Sequence, residues 1–218
     1  MAQNPFKIYE YDVVVSSSGL QPWHEALDLG CGRGRFTLAL ARQCRHVVGV
    51  DVSHNALAVA RKFLRFSPLK NKVEFVGGTL EAAGFPDASF DRIYSFCVLE
   101  HIPNLPIVLA ELFRLLKPDG EFHASVDSLA TIKSADLLNQ HRIKNKVYQY
   151  FTEASLRRQI TATGLEVLEL FSIMKGEFAR REFEKRIVAS YKLNLMKRLS
   201  CCRRFRAEDQ SAKSQAEI

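Results

Sequence analysis

The run Leu27-Asp28-Leu29-Gly30-Cys31-Gly32-Arg33-Gly34 has the composition of a loop that lets a ligand approach the main chain. Glycine has no Cβ, so such a loop can turn tightly and leave room beside its backbone. A helix directly after it would offer unpaired N–H groups and a partial positive charge. About 20 residues beyond the first glycine, at the end of a second β-rich run, stands Asp51. A carboxylate there can accept hydrogen bonds from both ribose hydroxyls of an adenosine. The glycines alone fit any tight strand-to-helix connection; the acid at this spacing is what turns the pair toward nucleotide binding. The glycines fall G-x-G-x-G, with Arg35 following Gly34, unlike the G-x-G-x-x-G of a pyrophosphate site. Farther on, Glu100-His101 could supply acid–base chemistry, a histidine titrating near about pH 6.5.

Short β-rich runs alternate with helical patterns from Glu25 to Phe171, which implies βαβ units and a largely parallel sheet. The expected strands are Ala26–Leu29, His46–Val50, Val73–Val76, Asp91–Phe96, Glu121–Ser125 and Leu165–Phe171. Helices are expected over Arg35–Gln43, over Asn55–Phe66 with Ser53 as N-cap, and over Leu105–Leu116. Lys117-Pro118-Asp119-Gly120 reads as a turn delivering the fifth strand, and Thr152 caps a further helix ending near Gly164. Val126–Tyr150 reads as a helix-containing excursion. Glu100 and His101 thus fall just past the fourth strand, at the carboxyl edge where ligands bind such sheets.

With 47% hydrophobic and 25% charged residues, the composition is that of an ordinary soluble domain, and no apolar run is long enough to span a bilayer. Met1–Glu10 lacks the features of a secretory signal. The five cysteines, 31, 44, 97, 201 and 202, show neither metal-ligand spacing nor a disulfide framework, which points to a cytoplasmic protein with no metal constellation. Cys97, in an apolar run, reads as a small hydrophobe. The net charge of +7 sits mostly in the tail, where residues 178–218 hold 11 Lys/Arg against 5 Asp/Glu.

The sequence resembles the class I S-adenosylmethionine (SAM) dependent methyltransferases, particularly the type-11 group that acts on small molecules. The resemblance runs from Ala26 to Phe171 and rests on Leu27–Gly34, Val48–Asp51, Phe85-Pro86-Asp87-Ala88-Ser89-Phe90-Asp91, Val98-Leu99-Glu100-His101 and Leu116-Lys117-Pro118-Asp119-Gly120. It implies an α/β fold: a Rossmann-like, mostly parallel sheet with helices on both faces. It implies SAM as cofactor, with Asp28, Gly30, Gly32 and Gly34 in the loop at its methionine end and Asp51 on the ribose. Val52 would pack on the adenine face, Thr79 and Leu80 near its edge, and Phe96 beside the sulfonium. Relatives commonly carry an aspartate where this chain has Thr79, and a hydroxyl is a weaker acceptor.

Methyl transfer from SAM is an in-line displacement, so the protein must align the acceptor and remove its proton where there is one. His101 is the candidate base; its alternative is to fix the loop before Pro103. His123 reads as a satisfied strand residue, while His141 and Tyr148 lie where relatives contact their acceptors. Ser95-Phe96-Cys97-Val98 replaces the Asn/Asp-Pro-Pro-aromatic motif of nucleic-acid amino methyltransferases, so a small-molecule or lipid-linked acceptor is expected. A non-catalytic binding protein of the same fold, or an RNA methyltransferase gripping through its tail, are the rival readings.

Three regions result: a lid-like segment 1–25, a methyltransferase domain 26–175 and a basic segment 176–218. Before Glu25 no helix is expected; Pro5–Tyr11, with Phe6, Tyr9 and Tyr11, reads as a reduced lid, or else the pocket is unusually open. In the tail, Phe183, Ile187, Tyr191, Leu195 and Leu199 recur every four residues, a basic amphipathic helix in pattern, although 187–193 could also be a strand. Residues 178–206 could pack on the sheet, contact anionic membrane peripherally or, less readily, hold nucleic acid. Cys201-Cys202 beside Arg203-Arg204 could carry a lipid.

Overall fold

The structure, a computed structural model, describes residues 5–130, 132–188 and 204–210. Strands β1 (Glu25–Leu29), β2 (His46–Asp51), β3 (Val73–Gly77), β4 (Phe90–Phe96) and β5 (Leu116–Ser125) form one sheet in the order β3-β2-β1-β4-β5. Every pairing is parallel. Helices α1 (Pro5–Ser16), α2 (Arg35–Leu40), α3 (His54–Arg65), α4 (Leu105–Leu115), α5 (Ala135–Asn145), α6 (Glu153–Thr161) and α7 (Glu177–Val188) surround it. The expected Rossmann-like α/β architecture is therefore present.

Alternation along the strands builds two cores. Leu27, Leu29, Val48, Val50 and Ile93 point to one face, against Leu105, Leu109, Leu112 of α4 and Leu156 of α6. Ala26, Val47, Phe75, Tyr94 and Phe96 point to the other, against Leu40 of α2, Leu57 of α3 and Val15 of α1. Period-two alternation with both faces apolar is what a parallel sheet covered on two sides requires. Because β2 and β4 flank β1 on opposite sides, the crevice between the carboxyl ends of β1 and β4 is the topological switch point, where ligands bind such sheets.

The caps fall where the sequence placed them. Ser53 Oγ accepts the amide hydrogen of Ala56 at 3.2 Å, and Thr152 and Ser155 form a reciprocal capping box. Three expectations are corrected. Lys117–Gly120 does not precede β5 but bulges within it, since Phe90 pairs with Leu116 and Arg92 with Glu121. Asp119 takes a positive φ of 63° in that bulge. The sixth strand is not formed: 165–171 has no regular secondary structure and pairs with no described strand.

The third correction is α1, which the sequence did not predict. Phe6 and Tyr9 pack with Ala179 of α7 and with Phe205 of the helical segment 204–210. Tyr11, Val14 and Val15 pack toward the sheet. A helix held on two sides has no single apolar stripe, so its periodicity is lost to view. Of the tail stripe, Phe183 lies on α7 and packs against this cluster, and α7 runs as helix to Val188. Tyr191, Leu195 and Leu199 lie outside the described residues. No helix among the described residues is long and apolar enough to cross a membrane.

Candidate functional site

The glycine loop is tied down before any ligand arrives. Gly30 and Cys31 donate their amide hydrogens to Val50 O at 2.8 and 3.0 Å, and Gly34 donates to Cys31 O at 2.9 Å. Asp51, at the end of β2, accepts the Gly32 amide on Oδ2 at 2.7 Å and the Ser53 amide on Oδ1 at 2.8 Å. Each carboxylate oxygen keeps a further lone pair. Beside Asp51, Val52 is an apolar side chain left 67% exposed.

The three glycines have different tasks. All adopt positive φ, but a Cβ on Gly34 would meet Phe75 Cζ at 2.4 Å and Ala60 Cβ at 3.0 Å, and one on Gly30 would strike the Val98 side chain. Those two permit close packing of neighbouring elements. A Cβ on Gly32 would meet only Asp51 Oδ2, at 4.0 Å, so Gly32 is the one bordered by open space. Asp28 is buried beneath the loop and accepts the Thr37 hydroxyl hydrogen at 2.6 Å. Burial pushes its carboxyl up to about 7, against the lowering effect of that bond. Its side chain braces the start of α2.

Thr79 is exposed after β3, in a loop that Gly78 anchors by donating to Asp51 O at 3.1 Å. Leu80, expected at the same edge, has its side chain in the α4-side core. Phe96, at the end of β4, sits 4.7 Å from the Phe36 ring and 5.6 Å from that of Tyr11. Tyr11 in turn stacks on Phe36 at 4.9 Å. Tyr11 thus brings α1 beside the β4 end of the crevice.

Beyond Phe96 the chain turns sharply at Cys97, with a positive φ of 52°. Cys97 Sγ donates to Glu10 Oε1 of α1 at 2.8 Å, and Ser125 at the end of β5 donates to the same oxygen. Lys7 Nζ lies 2.9 Å from Glu10 Oε2. Asp127 Oδ1 is 3.7 Å from Cys97 Sγ. Glu100 is fully buried, and neither of its carboxylate oxygens has a hydrogen-bond partner. Burial first, and the charge on Asp127 second, push it up to about 7. Sequence reading placed none of Lys7, Glu10 or Asp127 at the site, and took Cys97 only as part of the run Ser95–Val98, because they come from α1 and two separate strand ends.

His101 points its Nδ1 at Lys146 O, 3.2 Å away. A carbonyl can only accept, so Nδ1 carries the hydrogen, and Nε2 is the nitrogen left to exchange a proton. His141 is buried, with Nδ1 2.9 Å from Tyr150 Oη and Nε2 3.7 Å from Asp127 Oδ2. Tyr148 is exposed, and His123 Nε2 lies 2.9 Å from Glu121 Oε2 without forming an oriented hydrogen bond. A cavity of 1390 Å³ adjoins this cluster; Lys7, Glu10, Cys97, His101, Asp127 and His141 line one end of it.

Residues 27–124 match the family model for the methyltransferase domain, Methyltransf_11. The chain is 33% identical over 111 residues to a demethylmenaquinone methyltransferase of Symbiobacterium thermophilum, covering 50% of this chain and 44% of the relative. It is 30% identical over 179 residues to phosphoethanolamine N-methyltransferase 1 of Arabidopsis thaliana, covering 78% of this chain and 36% of the relative. It thus spans less than half the length of these curated relatives. The crystal structure of an S-adenosylmethionine dependent methyltransferase from Mesorhizobium loti superposes with a TM-score of 0.68 at 18% identity, covering 84% of this chain and 94% of that one. Its glycine loop, its acid at the end of β2 and these matches agree: residues 27–124 are similar to the methyltransferase domain of that family model, and the chain shares the fold of the Mesorhizobium loti enzyme.

Proposed function

We propose that the protein transfers a methyl group from SAM to a small-molecule or lipid-linked acceptor. The observation that carries this reading is Asp51, bonded to the open-sided Gly32 yet retaining lone pairs for a ribose diol, beside the exposed Val52. An apolar face next to a diol-binding carboxylate fits an adenosine. Bound SAM supplies a methyl carbon already activated by its sulfonium leaving group. The chain then has to hold SAM, align the acceptor and take its proton. His101 is held in the tautomer whose Nε2 can accept that proton. It faces the cavity with Cys97 and Asp127, which is the acceptor side on this reading.

The relatives' names include a demethylmenaquinone and a phosphoethanolamine enzyme, which supports an acceptor of small-molecule or lipid character. Among the described residues, the segments 1–25 and 176–218 meet, since α1 packs against α7 and 204–210. Among the described residues of 178–206, Phe178, Phe183 and Phe205 pack on α1, so their contribution to any peripheral contact with anionic membrane would be through neighbouring charge. Arg180 and Arg181 are already paired with Glu184 and Glu177.

The test is incubation of the full chain with methyl-labelled SAM and cell extract, followed by partition of the label. Label in the small-molecule or lipid fraction is expected. Label in RNA alone would replace the acceptor class. SAM binding without any labelled product would favour the non-catalytic alternative.

A further inference from the structure

Cys97, Glu100 and Asp127 converge at the carboxyl ends of β4 and β5, and each offers one ligand atom within 4.8 Å of the other two. Two basic groups border the cluster: Lys7 Nζ lies 2.9 Å from Glu10 Oε2 and also favours the charged forms of Cys97 and Glu100, and His141 Nε2 lies 3.7 Å from Asp127 Oδ2. Glu100 is 0% exposed, with both oxygens lacking a hydrogen-bond partner, a state that costs several kcal/mol for a charged group. A fully buried carboxylate of this kind, beside a thiol and a second carboxylate, is answered either by a proton or by a cation.

We propose that Cys97, Glu100 and Asp127 bind a single divalent transition-metal ion of zinc type. The donor set is one sulfur and two carboxylate oxygens, which favours zinc or its analogues over the oxygen-only preference of magnesium and calcium. The geometry agrees. A tetrahedral ion about 2.3 Å from sulfur and about 2.0 Å from oxygen sets those two ligands about 3.5 Å apart, and Cys97 Sγ lies 3.7 Å from Asp127 Oδ1. Binding releases the Cys97 thiol proton to solvent and breaks its bond to Glu10, which keeps Lys7 and Ser125 as partners. Three protein ligands leave a fourth position, and Cys97 and Asp127 both line the cavity, so that position opens to a ligand entering from it.

The probe is Co²⁺, with Zn²⁺ as competitor, added to chelator-treated full-length protein. Cys201 and Cys202 are replaced by serine in the test background to remove the tail thiols; Cys31 and Cys44 are buried elsewhere. One equivalent of Co²⁺ should bind, give a thiolate-to-cobalt charge-transfer absorption, and be displaced by Zn²⁺. Cys97→Ser should abolish that absorption and weaken Zn²⁺ binding at least about tenfold. Asp127→Asn and Glu100→Gln should weaken it similarly, with circular dichroism confirming that each variant is folded. The unmodified site decides the matter even if a variant fails to fold: no stoichiometric Co²⁺ binding, or binding without the thiolate band, overturns the proposal. So does an equal band in Cys97→Ser.

Discussion

Asp51 reaches back from the end of β2 to accept the Gly32 amide hydrogen at 2.7 Å, so one carboxylate both shapes the glycine loop and borders the proposed ribose position. Its other oxygen holds Ser53, the N-cap of α3. Replacing Asp51 with alanine removes these internal bonds together with those to the ribose. Hydrogen bonds to a charged group contribute about 1.5–3 kcal/mol, so SAM affinity should fall roughly 10- to 150-fold. Isothermal titration checks this. Equal affinities for Asp51→Ala and parent would remove Asp51 from the cofactor site.

Gly32 and Gly34 separate binding from stability. Both take positive φ, but only Gly34 is packed against Phe75 and Ala60. Gly34→Ala combines a left-handed alanine with overpacking and should destabilise the fold by about 2–4 kcal/mol. Gly32→Ala meets open space and should cost only about 1–2 kcal/mol of stability, while its methyl group narrows the ligand side of the loop and lowers SAM affinity at least about tenfold. Urea unfolding and calorimetric titration of both variants give the two readings. A Gly32→Ala protein that binds SAM like the parent would show that the ligand does not approach there.

The parts of this molecule legible in the sequence are those whose signals are local. The loop Gly30–Gly34, Asp51 and the caps Ser53 and Thr152 declare themselves through residue type and spacing, and the first five strands through their apolar runs. Helix α1 was hidden because Phe6, Tyr9 and Tyr11 serve two different neighbours. The β-rich run at 165–171 suggested a strand, but a strand also needs a partner, which no run of residues specifies by itself. Likewise, nothing links Glu10, Cys97 and Asp127 in sequence; they meet only because β4 and β5 are adjacent in the sheet and α1 crosses their ends.

Asp28 gives a pH dependence whose sign can be stated. Burial raises its folded carboxyl to about 7, against about 3.9 when unfolded. Between those values the native state holds a proton that the unfolded chain has lost, so this group's contribution to stability declines as pH rises toward about 7 and is fullest below about 4. Asp28→Asn keeps an acceptor for Thr37 but cannot ionise. The stability of the variant relative to the parent should therefore climb between about pH 4 and 7 and level off above, by an amount on the order of 2–4 kcal/mol. Urea unfolding of both proteins across that range checks it. A difference independent of pH would mean that Asp28 ionises freely in the native state.

Thr79 offers the sharpest test of where the adenine lies. It is exposed immediately after Gly78, whose amide is held by Asp51 O at 3.1 Å, so the loop is fixed close to the proposed ribose position. The family resemblance expects an aspartate here, facing the adenine amino group. A charged acceptor makes a hydrogen bond roughly twice as strong as a neutral one, so Thr79→Asp should tighten SAM binding by about 1 kcal/mol, about fivefold in affinity. Glu81, which opens the short helical turn Glu81–Ala83, repels the added charge and trims the gain; because Thr79 is exposed, desolvation opposes it only weakly. The gain should vanish for a SAM analogue lacking the adenine amino group, since no donor then meets the carboxylate. Calorimetric titration of both ligands into both proteins resolves the two cases. If Thr79→Asp leaves both affinities unchanged, residue 79 does not face the adenine; if it tightens both equally, the added charge acts on the sulfonium at long range instead.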